Sequence, residues 1–147
     1  MTKKNTITFS YEDIEKPHFF DEVKVTDWLY SVASHHGSKI KNLHYIFCDD
    51  EYMLEINKEH LNHDYYTDII TFPYEEGKTV EADILISLDR VKENASDYGT
   101  TFRAELMRVM VHGLLHLIGF SDKTEDNIIT MRSEEDKALL SCALLAL

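Results

Sequence analysis

Two kinds of hydrophobic pattern alternate along this chain. Short apolar runs between polar or turn residues predict four strands, at residues 7–11, 43–48, 69–74 and 79–87. The last two flank residues 75–78, where Gly77 favours a tight hairpin turn. Longer stretches with apolar side chains three and four positions apart predict helices between and after the strands.

Glycines and capping residues delimit these predicted helices. The first contains Trp28 and stops at Gly37, and the second is capped by Asp49 or Asp50 and reaches about residue 60. The third carries the apolar stripe Leu88, Val91, Ala95 and Tyr98 and ends before Gly99. The fourth is capped by Thr100 or Thr101 and closes at Gly119, and the fifth is capped by Thr124. The apolar tail, residues 139–147, is expected to dock into the core.

Strands and helices are mixed without regular alternation, so the predicted fold class is α+β, a small mixed sheet covered by helices. The fourth helix is expected to pack centrally. Residues 61–68 are polar and aromatic and show no period, which indicates a loop.

Length and composition favour a single soluble domain over residues 1–147, because 44% of the residues are hydrophobic and 29% are charged. No apolar run approaches the roughly 20 residues of a membrane span, and the N-terminus lacks the apolar segment of a secretory signal. Cys48 and Cys142 have no metal-ligand spacing. We therefore expect buried, reduced thiols in a cytoplasmic protein without a membrane partner.

A formal net charge of −12 argues against a broad electrostatic grip on nucleic acid. The lysines and arginines are scattered and read mainly as solvated surface positions, Arg108 and Arg132 among them. A nucleic-acid partner must therefore be contacted locally, or through metal ions or a larger assembly.

The fourth helix carries the candidate chemistry. His112 and His116 are four positions apart, so both imidazoles project from one helix face and can reach one metal ion. Asp122 follows just beyond the turn that Gly119 permits. Two nitrogens, one carboxylate and a vacant position for water describe an open catalytic site. The residues alone also allow two structural histidines bonded to backbone.

One familiar class of enzyme does not fit this helix. Zinc proteases of the usual kind carry a glutamate directly after the first histidine as general base, and Gly113 occupies that place here.

Three blocks resemble the YbeY-type family, bacterial metal-dependent endoribonucleases that act in ribosomal RNA maturation. Residues 112–122, His-Gly-Leu-Leu-His-Leu-Ile-Gly-Phe-Ser-Asp, are similar to the family's His-Gly-x-Leu-His-Leu-x-Gly-Tyr-Asp-His. Residues 56–73 resemble its Leu-Asn-x-x-Tyr-Arg-x-x-Asp-x-Pro-Thr-Asp-Val-Leu-Ser-Phe-Pro. Residues 82–87, Ala-Asp-Ile-Leu-Ile-Ser, resemble its Gly-Asp-Ile-x-Ile-Ser strand. The resemblance covers roughly residues 40 to 135.

This resemblance implies a single-strand-specific endoribonuclease that acts in late maturation of the 3′ end of small-subunit (16S) ribosomal RNA and in ribosome quality control. It implies one Zn²⁺ or another divalent metal held by His112, His116 and Asp122, with a metal-activated water in place of a protein general base. Asn62, Thr67 and Asp68 become candidates for the substrate cleft, with Asp68 and Asp83 expected to brace the cleft wall. Ribosomal RNA is the implied partner, with a small-subunit ribosomal protein as a further candidate.

Two departures from the family pattern bear on activity. Asp122 stands where the family has a third histidine, which leaves a bound metal less positive and widens the choice of metal to iron or manganese. Leu61 stands where the family has an arginine suited to bind phosphate, and Tyr66 replaces a proline. Either another cation is supplied from elsewhere or cleavage is weak. His60 and His63 flank this position and either substitute in part for the arginine or are simply loop histidines.

Two other functions stay open on the sequence. One is a non-catalytic ribosome-assembly factor that binds RNA and uses a metal mainly to shape its fold. The other, a metal-dependent hydrolase or oxygenase acting on a small molecule, rests on ligand chemistry alone.

Overall fold

The structure is a computed structural model that describes residues 6–61 and 67–145, apart from the side chains of residues 60 and 61. Its elements are β1 (Thr6–Tyr11), α1 (Glu22–His35), β2 (Lys39–Cys48), α2 (Asp50–Leu61), β3 (Ile69–Glu75), β4 (Thr79–Ser87), α3 (Leu88–Tyr98), α4 (Phe102–Ile118) and α5 (Glu125–Leu140). Each element expected from the hydrophobic pattern is present, and Thr101 and Thr124 cap α4 and α5 through side-chain hydrogen bonds.

The strands form one mixed sheet in the order β1-β2-β4-β3. β1 and β2 are parallel, as are β2 and β4, whereas β3 runs antiparallel to β4. This confirms the α+β class. β2 starts at Lys39, earlier than predicted, because residues 39–42 continue the pairing with β4 through a bulge between Ile40 and Asn42.

α4 packs across one face of this sheet and forms the centre of the core. Ten of its residues are buried, and the buried Tyr45 hydroxyl of β2 donates a hydrogen bond to the Met110 carbonyl at 2.9 Å. Close approach depends on Gly113, because a Cβ at that position would lie 3.1 Å from the terminal methyls of Ile69 and Ile84. The sheet thus occupies the space where a zinc protease would need its glutamate.

Two expectations about apolar positions need correction. Leu88, Val91 and Ala95 are buried as predicted, but Tyr98 is 65% exposed because the helix ends there and turns the ring away from the core. The tail is docked only in part. Cys142 is buried and Leu144 packs against the core, whereas Leu140 is 89% exposed. Cys48 and Cys142 are both free and buried, as expected.

Among the described residues, no helix combines the length and the hydrophobicity that a transmembrane span requires.

Replacing Gly113 with valine is expected to lower the free energy of unfolding by about 2–3 kcal/mol, because the added methyls overpack the α4–sheet contact. Chemical denaturation followed by circular dichroism measures the change. Gly77→Ala is a useful comparison, since nothing lies within 4 Å of a Cβ there and its cost arises from the positive φ of 96° alone. A Gly113→Val protein as stable as the parent would contradict this packing.

Candidate metal centre and cleft

Helices α4 and α5 bring His112 and Glu135 together. Met131, Glu135 and Ala138 share the buried face of α5, so the Glu135 carboxylate points at α4 rather than at solvent. The His112 Nδ1 lies 2.7 Å from the Glu135 Oε2, and the Arg108 Nη1 donates to Oε1 at 2.9 Å. Arg108 precedes His112 by one helical turn, so one buried carboxylate receives both side chains.

This carboxylate is held in its charged form. Burial raises the pKa of Glu135, but the hydrogen bonds from His112 and Arg108 lower that pKa by more, so it lies below its ordinary value. An ionised carboxylate only accepts hydrogen bonds, so the proton of this contact belongs to the His112 Nδ1. The other ring nitrogen, Nε2, is then the one available to a metal. A carboxylate behind a ligating histidine is a common arrangement in metal sites.

Gly119 returns the chain towards His112. Its φ of 134° ends α4, and the Phe120 N–H donates to the Leu115 carbonyl at 3.0 Å. The turn places the Asp122 Oδ2 3.6 Å from the His112 Nε2. Two tetrahedral ligands about 2.0–2.2 Å from one zinc ion lie about 3.4 Å apart, so this nitrogen and this oxygen fit a shared divalent cation.

His116 is the less complete member of the predicted set. It is exposed, and its Nδ1 lies 3.2 Å from the Phe120 carbonyl oxygen, which leaves Nε2 as the nitrogen able to ligate. In the described part of the chain, no three His, Cys, Asp or Glu side chains are grouped closely enough to hold a metal ion. The structure brings His112 and Asp122 together, and His116 remains a predicted third ligand.

A cleft of about 280 Å³ opens beside this pair. Its lining includes His112 and Asp122 together with Asp68, Glu105 and Glu135. The hydrogen bond to Glu135 raises the pKa of His112, burial opposes the rise, and the charges of Glu135, Asp122 and Asp68 add to it. The cleft therefore stabilises positive charge at the His112 ring, and the same field favours a bound cation.

Two carboxyl groups on the cleft wall have raised pKa values. Burial raises the pKa of Asp68, whose Oδ2 accepts a 3.3 Å hydrogen bond from Asn94. Burial, followed by the charge of Asp68, raises the pKa of Glu105. Both carboxyl groups therefore hold a proton more readily than solvent-exposed carboxyl groups do.

The other predicted cleft residues have different positions. The Thr67 hydroxyl donates to the Ile69 carbonyl at 3.5 Å and does not line the cleft. Asn62 lies outside the described residues, as do His63 and Tyr66. Asp83, expected to brace the cleft, faces away from α4, because alternate residues of β4 point to opposite faces and Ile84 points at Gly113. Its carboxylate instead accepts a hydrogen bond from the Tyr74 hydroxyl at 2.6 Å.

The sequence reading missed Glu135 and treated Arg108 as a surface residue. Glu135 stands between Glu134 and Asp136, which suggests a solvated acidic run. The spacing to Met131 and Ala138 was the signal that it faces inwards.

The sequence comparisons with known proteins agree on one family. A model of the family described as Endoribonuclease YbeY matches residues 6–143. Endoribonuclease YbeY of Flavobacterium psychrophilum is 45% identical over 134 residues, covering 90% of this chain and 94% of that protein. The protein of the same name from Cytophaga hutchinsonii is 46% identical over 138 residues, covering 93% and 96%. Among solved structures, the solution structure of TM1509 from Thermotoga maritima matches with a TM-score of 0.66 at 25% identity, covering 91% of this chain and 87% of that one.

Proposed function

This chain belongs to the YbeY family of endoribonucleases, and from that membership we propose that it cleaves single-stranded ribosomal RNA with the help of one divalent metal ion. The observation that carries the proposal is the pairing of the His112 Nε2 with the Asp122 Oδ2 in a cleft, with Glu135 behind the imidazole. The coincidence of this pairing with the family's metal-binding motif supports the assignment.

The proposed ligands are His112, His116 and Asp122, with zinc as the first candidate and iron or manganese as alternatives suited to two imidazoles and a carboxylate. When bound, such an ion polarises a phosphodiester and lowers the pKa of a coordinated water. Asp122 offsets one unit of the ion's charge, so we expect a pH optimum higher than three histidines would give.

The protein's own groups position and orient these ligands. Glu135 accepts a hydrogen bond from the Nδ1–H of His112 and so directs Nε2 towards the cleft. The Phe120 carbonyl does the same for His116. Asn94 holds the Asp68 carboxyl on the cleft wall through a 3.3 Å hydrogen bond.

The cellular setting is part of the same proposal. We place the protein in the cytoplasm, acting late in maturation of small-subunit ribosomal RNA, with a small-subunit ribosomal protein as a further partner. The two free, buried cysteines are consistent with a reducing compartment. We propose one nuclease domain over residues 1–147, supported by a large hydrophobic cluster whose buried members range in sequence from Phe20 to Cys142.

Metal removal tests the proposed function. Protein treated with EDTA should leave a labelled single-stranded RNA intact, and stoichiometric zinc or manganese should restore cleavage, since the ion supplies the electrophile. A double-stranded RNA of the same sequence serves as the comparison and should be cleaved far more slowly. Cleavage that continues undiminished in EDTA would overturn the proposal.

Replacing Asp122 with alanine should lower zinc affinity by about 10–100-fold, because one charged oxygen ligand is lost. Elemental analysis after dialysis, together with a competition titration against a coloured chelator, measures the change. Asp126→Ala removes an exposed carboxylate at the start of α5 and should leave zinc affinity unaltered. Equal metal content in the parent and in Asp122→Ala would remove Asp122 from the site.

A non-catalytic RNA-binding factor remains the second candidate. The observation in its favour is Leu61 in place of the family's arginine, together with the net charge of −12. Metal-loaded protein that binds single-stranded RNA but never cleaves it would favour this candidate.

A further inference from the structure

Positive charge is scarce around the proposed metal centre. Four carboxyl residues and two arginines line the cleft, namely Asp68, Glu105, Asp122 and Glu135 against Arg108 and Arg132. An RNA phosphate that enters this cleft therefore meets a negative field wherever neither arginine faces it. Which arginine is available to the strand decides how the protein binds it.

Arg108 is already committed to protein partners. Its Nη1 donates to Glu135 at 2.9 Å and its Nη2 donates to Asp136 at 2.6 Å, with 23% of the side chain exposed. These contacts tie α4 to α5 at both ends of the guanidinium. A phosphate would have to displace one of them.

Arg132 is placed differently. Its Nη1 lies 3.7 Å from the Glu135 Oε1, beyond hydrogen-bonding distance, and that oxygen already accepts from Arg108. The side chain is 58% exposed and lines the cleft from α5. Because the guanidinium presents several donors in one plane, it matches phosphate oxygens well.

Tyr98 lines the same cleft from the end of α3, with 65% of its surface exposed. α3 and α5 both pack against α4, so the ring and the guanidinium reach the cleft from two separate helices. Exposed aromatic rings beside a cation are the usual means of binding a single strand without reading its sequence.

We propose that Arg132 and Tyr98 bind the RNA strand at this cleft, Arg132 through a backbone phosphate and Tyr98 by stacking on a base. This inference rests on the proposed function for its substrate class. It assigns to Arg132 the cation that Leu61 does not supply. Tyr98 accounts for single-strand preference, since a base paired in a duplex cannot leave the helix to stack on a protein ring.

Binding measured without cleavage tests this proposal. A short fluorescein-labelled single-stranded RNA is titrated in EDTA, with anisotropy as the readout, over a series of salt concentrations. Arg132→Gln should weaken binding about fivefold and reduce the slope of log affinity against log salt by about 0.7, the value for one phosphate contact on a single strand. Lys137→Gln is the matched control, because Lys137 also lies on α5, is 67% exposed and pairs with Glu134 three residues away.

Stacking is tested with a pair of variants at one position. Tyr98→Ala should weaken binding about tenfold, and Tyr98→Phe should restore it, since phenylalanine keeps the ring. Circular dichroism melts check that each variant is folded. The proposal is overturned if Arg132→Gln matches Lys137→Gln in affinity and salt slope, if Tyr98→Ala binds like the parent, or if the parent itself does not bind in EDTA.

These outcomes separate the two proposals. Binding that depends on Arg132 and Tyr98, in a protein that never cleaves when loaded with metal, would support this inference while the nuclease proposal fails. Metal-dependent cleavage, with both variants binding like the parent, would overturn this inference alone.

Discussion

Replacing Glu135 with alanine is expected to lower the free energy of unfolding by about 3 kcal/mol and zinc affinity by about 10–100-fold. The carboxylate is 6% exposed and accepts from both His112 and Arg108, so its removal leaves two polar side chains without their shared partner. The same change frees the His112 ring to rotate and to exchange the proton between its two nitrogens. One substitution should therefore impair stability and metal binding together.

Asp136→Ala is the matched control for this change. Asp136 also accepts a hydrogen bond from Arg108, at 2.6 Å, but its side chain is 59% exposed. Exposed ion pairs contribute about 0–1 kcal/mol, so this variant should melt close to the parent and bind zinc as tightly. Thermal unfolding and chelator competition measure both properties. If Glu135→Ala lost stability while zinc affinity stayed unaltered, Glu135 would stabilise the fold without influencing metal binding by His112.

The positions of the elements were predictable because they depend on local information. Residues 88–95 carry apolar side chains at helical spacing, and Gly99 closes that helix with a φ of 69°. Strand β4 was recognised from its run of apolar residues. Local information could not show which element distant in sequence packs against a given side chain. Tyr98 continues the stripe in sequence, yet its side chain is 65% exposed.

The candidate site likewise combines residues that are close in sequence with one that is distant. His112, His116 and Asp122 all lie in the short segment 112–122, so spacing alone could suggest them. Glu135 is 23 residues from His112 in sequence and joins it only through the packing of α5 on α4. An acidic residue between two other acids is expected at the surface. Glu135 is buried instead, and hydrogen bonds from His112 and Arg108 stabilise its charge there.

Asp83 shows how a strand residue can be assigned to the wrong face. The family resemblance placed it near the cleft, but the alternation of β4 sets it opposite Ile84, on the side of the sheet away from α4. There it accepts from Tyr74 and lies 3.8 Å from the His44 ring. Deciding between the two faces required knowing which neighbour of Asp83 packs against α4.

Replacing His112 with alanine is expected to reduce metal-dependent cleavage of single-stranded RNA by about a thousandfold or to background. The variant loses a proposed metal ligand and the hydrogen bond through which Glu135 orients it. Glu135 keeps its hydrogen bond from Arg108, so the fold should survive with a loss of about 1–2 kcal/mol. Initial rates on a labelled RNA, with the metal concentration varied, measure the effect.

His44→Ala provides the matched control for that experiment. His44 is a half-buried histidine on β2 whose Nε2 lies 2.9 Å from the Ser10 hydroxyl, on the sheet face away from α4. Its removal changes the histidine content equally but leaves the proposed ligands in place, so cleavage should change by less than about twofold. Cleavage that is unchanged in His112→Ala would trace the activity to a contaminating nuclease. Equal losses of cleavage in both variants would indicate general destabilisation instead, because His44 lies on the sheet face away from α4 and the proposed metal centre.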